Sequence, residues 1–340
     1  KYYPENFEID ELDMMGDAWK EYDFSQYDII YHVAGIAHAD VGNVSDETKE
    51  KYYQVNTDLT IEVAQKAKEE NVKEIIFMSS MIVYGESAPY GKKKIIDENT
   101  IPTPANFYGD SKLQADVAIR ELADDNFKVI VLRPPMIYGK GSKGNYPVLA
   151  KLAKKFPVFP DVDNERSMLY IENLCEFLCQ VMLVRKIRRN AIVLIPQNAE
   201  WTNTSVMVTQ IANISGKKIV GLKVMRPAVV IGGKMPGKIG GLINKAFGNN
   251  CYAHELSKYQ GIDYQKSTLE ESVKLTEANV RNQKKSVLML ASVASMIDQF
   301  NMSNIDILLN MGYRVDVACN FGFGSTCSDE KIAELKSKLK

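Results

Sequence analysis

The sequence predicts an α/β fold in which a parallel sheet is covered by helices on both faces. Short apolar runs bounded by polar or turn residues are typical of buried strands, and such runs occupy residues 29–33, 75–78 and 127–132. Segments with the apolar spacing of a helix follow the first two runs, at 47–70 and 110–124. Strands that alternate with helices favour β-α-β units and hence a doubly wound parallel sheet.

A serine, a tyrosine and a lysine stand where this fold binds ligands. The run at 75–78 ends in Ser79 and Ser80, so a serine lies at the carboxyl end of a strand. Tyr108 precedes Lys112 by one helical turn, and the two side chains therefore point the same way. A tyrosine and a lysine at this spacing are more often a pair on the protein surface. The serine at the end of the preceding strand favours a catalytic role instead.

These three side chains suit proton removal from a carbinol. A free tyrosine has a pKa of about 10 and needs help to act as a base at neutral pH. A nearby lysine ammonium favours the phenolate, and a serine hydroxyl can share the hydrogen bond to the substrate oxygen. The set predicts that a proton leaves the hydroxyl while hydride leaves the same carbon for a nicotinamide.

The chain resembles the extended short-chain dehydrogenase/reductases of the NAD-dependent epimerase/dehydratase family, close to the nucleotide-sugar 4-epimerases. The residues that carry this resemblance are Ser80, Tyr108 and Lys112. The resemblance implies a Rossmann-type sheet, NAD as the cofactor and a UDP-hexose type of substrate that is oxidised and reduced at sugar C4. It makes these three residues the catalytic ones.

The resemblance also assigns cofactor contacts. Residues 7–15 match the family's third strand, and small residues after the first apolar run would let the backbone approach the dinucleotide. The cofactor-binding residues implied are Asp13, Met14, Val33, Ala34, Gly35, Ala37, Asn56, Tyr108, Lys112, Pro135 and Ile137.

The implied substrate contacts lie in the second half of the chain as well as at the strand end. They are Ser80, Tyr108, Asn145, Tyr146 and Arg166. Arg166 would bind the nucleotide diphosphate through its guanidinium, and a surface ion pair with Asp163 or Glu165 is the alternative.

Three positions bear on the reaction subtype. Met136 stands where the family's epimerases often hold an asparagine, which leaves the sugar and the subtype open. Met81 and Ile82 follow Ser80 where a 4,6-dehydratase of this family normally has an Asp–Glu pair, which argues against dehydration. A keto-sugar reductase is a further alternative, and the intact catalytic residues argue against a non-catalytic scaffold.

Composition excludes other classes of function. The 340 residues, 45% hydrophobic and 25% charged, are ordinary for a globular protein of about two domains. A net charge of −1 offers no field for nucleic acid or an anionic membrane surface. No apolar stretch reaches about 18 residues, so we expect no membrane span. Five cysteines suggest reduced thiols in a cytoplasmic setting.

Neither the cysteines nor the glycine motifs predict a further site. Cys175 and Cys179 lie one helical turn apart without other ligands, so we expect core thiols and no metal. Residues 139–144 match G-x-G-x-x-G formally. We reject the match because two prolines intervene, no helix clearly begins there and no acidic residue follows at the required distance. The glycines at 231–241 have Pro236 inside the turn that the motif would need.

We expect an epimerase/dehydratase domain at 1–275, with a substrate-binding lobe largely within 140–270, and a linker at 276–285. The family's glycine-rich turn occurs nowhere ahead of Tyr27. The resemblance therefore implies that the first β-α-β unit precedes Lys1, and that this chain alone neither binds NAD tightly nor turns over.

A fresh β-α-β pattern follows at 286–340. It resembles the start of a two-lobed glycosyltransferase, which would make the chain a fragment of a bifunctional protein for cell-surface polysaccharide synthesis. A unit of this size should be poorly packed or loosely docked. The resemblance further implies a homodimer that pairs through the helices at 47–70 and 110–124.

Overall fold

The computed structural model describes residues 7–37, 44–183, 189–278, 286–311, 313–321 and 328–338. The chain divides into two compact units, Lys1–Glu277 and Ala278–Lys340. Most of the predicted linker at 276–285 lies outside the described residues, as does Gly312, the predicted end of a helix.

The strands of the first unit are short, and most belong to parallel pairs. They are β1 Ile29–His32, β2 Glu74–Met78, β3 Ile95–Ile96, β4 Lys128–Leu132, β5 Met136–Tyr138, β6 Val158–Pro160, β7 Met168–Tyr170, β8 Ala191–Leu194, β9 Val220–Leu222 and β10 Cys251–Tyr252.

The helices of the first unit vary from eight to fifteen residues. They are α1 Asp46–Tyr53, α2 Leu59–Glu69, α3 Phe107–Glu121, α4 Asn145–Lys155, α5 Ile171–Leu183, α6 Thr204–Ile214, α7 Arg226–Gly233, α8 Lys238–Phe247 and α9 Leu269–Glu277. A π-helical turn, Gln54–Asp58, joins α1 to α2, and 3₁₀ turns occupy Ala18–Glu21, Met81–Tyr84, Lys223–Met225 and His254–Ser257.

Four parallel strands form the main sheet in the order β1-β2-β4-β8. Alternate side chains of β2 enter opposite cores: Ile75 and Phe77 pack with α2 and α3, whereas Ile76 packs with α5. The predicted helix–sheet–helix layering is therefore confirmed. The central strands β2 and β4 are buried on both faces, which is why they read as continuous apolar runs.

One sequence expectation about the sheet is wrong. Residues 7–14 form no strand, because within the described chain β1 pairs with β2 alone and offers this segment no ladder. Two elements within the range 140–270 belong to the sheet and not to the lobe, since α5 packs on the main sheet and β8 completes it.

The substrate-side lobe has its own core. Side chains of α4, α6 and α9 pack there around Tyr138, Met168 and Tyr170, which come from the strand pair β5–β7. The pairs β6–β9 and β3–β10 complete this part of the unit. The glycine loop at 139–144 joins β5 to α4, so the expectation that no helix begins there is wrong. Its strand, however, lies outside the main sheet.

The second unit contains the expected β-α-β pattern. Strands β11 Ser286–Val293 and β12 Arg314–Asn320 pair in parallel, with helices α10 Ala294–Phe300 and α11 Met302–Asn310 between them and α12 Asp329–Lys338 after them. The helices cover one face of this pair around Ile297, Ile305 and Leu335. Leu288 and Leu290 point from the other face and are exposed, so β11 is buried on one face only, although its apolar sequence is typical of a fully buried strand.

No described helix is long and apolar enough to cross a membrane. Where the structure describes them, the cysteines, Cys175, Cys179, Cys251 and Cys319, are free thiols. The part of the chain that the structure describes contains no group of three or more His, Cys, Asp and Glu side chains that could bind a metal ion.

Candidate active site

The site is built on the carboxyl ends of β2 and β4. The last paired residues of these strands are Met78 and Leu132. The Ser79 amide then donates to the Leu132 carbonyl at 2.8 Å, and the Met81 amide donates to the Pro134 carbonyl at 2.9 Å. These bonds hold the two serines after β2 beside the double proline after β4.

Ser80 caps the 3₁₀ turn that follows β2. Its backbone is extended, and its Oγ accepts a hydrogen bond from the Ile82 amide at 3.3 Å. The side chain is half-buried, and it lies close enough to the Tyr108 phenol to lower the pKa of that group.

Tyr108 lies in the first turn of α3, which begins three residues earlier than the sequence predicts. Asn106 caps this helix by accepting from the Gly109 amide at 3.0 Å. A Cβ on Gly109 would lie only 2.9 Å from the Ile82 carbonyl oxygen, so a glycine there lets the helix approach the serine turn. The Tyr108 ring meets Tyr52 edge-on, with 6.0 Å between ring centroids.

Lys112 extends from the next turn of α3 to the ends of the strands. Its side chain is buried, with 5% exposed, and its Nζ donates to the Met78 carbonyl at 3.1 Å. The ammonium lies 4.8 Å from the centroid of the Phe77 ring. A Cβ on Gly35 would come within 2.8 Å of Nζ, so the loop after β1 also lies against the Lys112 ammonium. Ser80, Tyr108 and Lys112 thus converge on one edge of the sheet.

Burial governs the titration of these groups. It raises the pKa of Tyr108, while the hydrogen bond from Ser80 acts in the opposite direction. Burial also lowers the pKa of Lys112 to about 8, and that of His32, beside Lys112, to about 4. The pKa of Tyr108 is raised overall, because loss of hydration outweighs the effect of Ser80.

Asn56 organises the loop after β1. It is fully buried in the π-helical turn, and its side-chain amide bonds the backbone of Ile36 at both N (2.8 Å) and O (3.1 Å). It also donates to Ser111 Oγ at 3.1 Å, which joins this loop to α3. Val33, Gly35 and Ala37 are exposed along the loop, and Ala34 is half-buried.

The other residues assigned to the cofactor differ in how deeply they are buried and in which elements they lie. Pro135 is buried after β4, and Ile137 is half-buried in β5, where it pairs with Leu169. Asp13 is exposed and accepts from the Met15 amide at 3.0 Å, while Met14 packs on the core under the sheet.

The residues assigned to the substrate do not all face the site. Tyr146 is buried in the lobe's core, stacked on Tyr138 with 5.3 Å between centroids, so its side chain does not face solvent. Asn145, beside it, is half-buried at the first position of α4.

Arg166 has partners that the sequence did not predict. Its Nη1 donates to the carbonyls of Lys245 and Gly248, at 3.0 and 3.1 Å, at the end of α8. The expected alternative of an ion pair with Asp163 is wrong, because Arg226 pairs with that carboxylate instead, at 3.1 Å. Burial lowers the pKa of Arg166.

A buried ion pair behind the site was missed from the sequence. Arg133, at the end of β4, donates to both carboxylate oxygens of Asp116 at 2.8 and 3.0 Å and to the Tyr84 hydroxyl at 2.7 Å. These bonds fasten α3 to the end of β4 and to the turn after Ser80. The available signal was Asp116 itself, which falls on the apolar face of the helical segment.

The described fold places the chain among α/β proteins with a parallel sheet covered by helices on both faces. Within that class, the chain belongs to the NAD dependent epimerase/dehydratase family, whose model matches residues 3–195. The cofactor expected from the resemblance, NAD, is the one that the family's description names.

Curated relatives include two epimerases of bacterial origin. The chain is 31% identical over 176 residues to a UDP-glucose 4-epimerase of Vibrio cholerae, covering 51% of this chain and 52% of the relative. It is 31% identical over 187 residues to the N-acetyl-alpha-D-glucosaminyl-diphospho-ditrans,octacis-undecaprenol 4-epimerase of Escherichia coli O157:H7, covering 54% of each. The chain therefore spans about half the length of these relatives.

Solved structures share the fold. UDP-glucuronic acid 4-epimerase from Bacillus cereus in complex with NAD has a TM-score of 0.56 at 18% identity, over 76% of this chain and 75% of that one. MoeE5 in complex with UDP-glucuronic acid and NAD has a TM-score of 0.57 at 16% identity, over 76% and 82%. The architecture is thus that of nucleotide-sugar epimerases.

Proposed function

We propose that the protein is an NAD-dependent 4-epimerase of diphosphate-linked hexoses, of the UDP-hexose type. The observation that carries the proposal is the convergence of Ser80, Tyr108 and Lys112 at the ends of β2 and β4. The two bacterial relatives, both named 4-epimerases, support the same assignment.

The residues present fit the nicotinamide and ribose end of NAD. The exposed segment Val33–Ala37 offers small residues, held in place by Asn56, beside the buried Lys112 ammonium. An ammonium has three donors, and the Met78 carbonyl takes one, so Lys112 can also bond ribose hydroxyls. When bound, NAD would supply the hydride acceptor.

Each of the three side chains has a distinct task in this proposal. Tyr108 Oη takes the proton of the sugar 4-hydroxyl, and Ser80 Oγ holds the same sugar oxygen by a hydrogen bond. Lys112 supplies the positive charge that offsets the burial of the phenolate, since burial raises the pKa of Tyr108. The pKa of Lys112 is lowered to about 8, which is still above neutral pH. The Lys112 side chain is therefore mostly charged at pH 7.

The substrate class is defined by the sugar and its diphosphate. The two curated relatives are named for sugars carried on UDP and on diphospho-undecaprenol, which share a sugar–diphosphate core. Arg166 is the guanidinium that we assign to the diphosphate. It would have to exchange its bonds with the carbonyls at the end of α8 for bonds to phosphate oxygens.

A reductase or dehydratase of the same fold is the second candidate. The buried Met81 directly after Ser80 disfavours dehydration, because it places no acid beside the serine. The parallel pair β11–β12 in the second unit supports the further proposal that the chain is part of an epimerase–glycosyltransferase for polysaccharide synthesis. A cytoplasmic location, a homodimer through α1, α2 and α3, and a first β-α-β unit ahead of Lys1 stay predictions.

The test is interconversion of epimers without added NADPH. The full-length protein, with NAD, is incubated with UDP-glucose, UDP-galactose and their N-acetylamino counterparts, and the products are separated by chromatography. We expect interconversion of at least one pair, and a loss of about 10²–10⁴-fold in Tyr108→Phe, which lacks the proton acceptor.

Tyr90→Phe is the matched control. It removes a hydroxyl that bonds Asp163 on the lobe surface, and it should retain activity. Oxidation of NADPH in the presence of a nucleotide 4-keto-sugar, without interconversion of any epimer pair, would identify a reductase. No interconversion of any pair would contradict the epimerase proposal.

A further inference from the structure

Two short helices of the lobe form an apolar and basic surface that the proposed function does not use. Residues 217–247 contain β9, α7 and α8, and we call this segment the cationic hairpin. Helices α7 and α8 pack closely, because Cβ atoms on Gly232 and Gly233 would meet Ile243 and Asn244 at 2.4 and 2.6 Å. Asn244 also donates to the Gly233 carbonyl at 2.9 Å, so the pair is a defined element.

Large apolar side chains project from the cationic hairpin into solvent. Val224 is 80% exposed, Ile231 66% and Leu242 67%. Ile239 lies three residues before Leu242 in α8 and is exposed on the same side of that helix. Single exposed apolar residues are ordinary, but a cluster on one element is typical of an interaction surface.

The charge of this region is one-sided. From Trp201 to His254 the chain has no Asp or Glu, although its net charge is −1 over all 340 residues. The basic residues in this stretch are Lys217, Lys218, Lys223, Arg226, Lys234, Lys238 and Lys245. Arg226 is paired with Asp161 and Asp163, whereas Lys217, Lys218, Lys223, Lys234 and Lys245 are exposed.

These two properties together select the partner. A second copy of the chain would bring like charges together across a symmetric contact, which disfavours self-association. Nucleic acid would match the charge but not the aliphatic side chains. An anionic lipid bilayer matches both, since lysines meet the headgroups while apolar side chains enter the interface.

We propose that the cationic hairpin docks the protein on an anionic lipid surface without crossing it. The bilayer contact is peripheral: Ile231, Ile239 and Leu242 insert among the headgroups, and the exposed lysines flank them. The net charge of −1 does not describe this segment, because positive charge is concentrated in it.

Docking would bring the membrane close to the substrate's diphosphate. Arg166, which the proposed function assigns to that group, is bonded to carbonyls at the end of α8. This consequence rests on the proposed function, and it adds lipid-linked sugar diphosphates to the UDP-hexoses as substrates within reach of the site. The docking itself does not depend on catalysis.

The experiment is co-sedimentation of the protein with phosphatidylcholine vesicles, with and without phosphatidylglycerol. We expect binding only to the anionic vesicles, and weaker binding as salt is raised. Ile231→Ser combined with Leu242→Ser should lower partitioning about tenfold per residue. Lys234→Gln combined with Lys245→Gln should lower it about fivefold per lysine.

Matched controls lie elsewhere on the surface. Ile101→Ser changes a residue that is 76% exposed, and Lys92→Gln with Lys93→Gln removes two other exposed charges. These variants should bind like the wild type, and thermal melting should show every variant folded.

Equal binding to both vesicle types, no binding, or hairpin variants that bind like the wild type would overturn the proposal. So would a change of oligomeric state in the hairpin variants without a change in vesicle binding. No NAD or sugar is present in the assay, so the proposed function can fail while docking is confirmed.

Discussion

Lys112 illustrates how a single residue can cost stability and serve function. Burial lowers its pKa from 10.5 to about 8, which corresponds to an unfavourable free energy of up to about 3 kcal/mol for the buried charge. We expect Lys112→Met to raise the free energy of unfolding at pH 7 by about 1–2 kcal/mol, because the lost bond to the Met78 carbonyl offsets part of the gain. The same variant should lose epimerase activity.

The sign of this effect fixes its pH dependence. Between pH 8 and 10.5 the unfolded chain binds the Lys112 proton and the folded chain does not, so wild-type stability rises with pH relative to the variant. Denaturant unfolding of both proteins across this range should show their difference shrinking. A difference that is constant with pH would contradict the assignment.

The ion pair of Asp116 and Arg133 makes the opposite kind of contribution. Asp116→Asn leaves the buried Arg133 without its anionic partner, and we expect a loss of about 3–5 kcal/mol in the free energy of unfolding. Arg120→Met is the control, because Arg120 contacts the same carboxylate from a partly exposed position and should contribute less than about 1 kcal/mol. Equal losses in the two variants would contradict this interpretation.

Local residue patterns predicted some of the site and missed the rest. Ser80, Tyr108 and Lys112 could be recognised from local sequence. The serine directly follows an apolar strand, and the tyrosine and lysine are one helical turn apart. The pairing of Asp116 with Arg133 depends on α3 meeting the end of β4, which no local pattern specifies. Local patterns likewise did not predict the raised pKa of Tyr108, because burial is a property of the whole fold.

At the scale of elements, Gly109 sets the distance between α3 and the serine turn. A methyl group there would meet the Ile82 carbonyl at 2.9 Å and Pro104 Cβ at 3.1 Å, and a backbone carbonyl cannot move aside cheaply. We expect Gly109→Ala to displace the first turn of α3 and to lower kcat about 10–100-fold, since small displacements of reacting groups are costly.

Gly241→Ala is the control for helix propensity. It lies in α8 with open space around the added methyl group, so it should stabilise the protein by about 0.5–1 kcal/mol. Steady-state kinetics and thermal melting of the two variants separate the effects. An active Gly109→Ala enzyme would show that the close approach is not needed.

Element prediction succeeded where the signal was long and periodic. The helices around 47–70 and 110–124 and the strands β1, β2 and β4 follow the predicted pattern, with a π-helical turn at Asn56 that periodicity cannot reveal. The segment 7–14 shows the limit, because a strand exists only beside a partner. Strand β8 was missed since its short apolar run looked like part of the lobe.

At the scale of the whole molecule, the distribution of charge matters more than its sum. The net charge of −1 conceals a stretch from 201 to 254 without one acidic side chain. Composition averages over such a segment, and only the exposed positions of Val224, Ile231 and Leu242 reveal that an apolar surface accompanies it. The substrate lobe therefore has a second candidate role beside sugar recognition.

The most direct test of the catalytic account follows a label at the reacting carbon. A UDP-hexose carrying deuterium at C4 is incubated with the full-length protein and NAD, and the epimer formed is analysed by NMR. Hydride removal and return at one carbon, with Tyr108 moving only the hydroxyl proton, predicts that deuterium is retained at C4 of the product. Replacement of the label by solvent hydrogen would contradict the account.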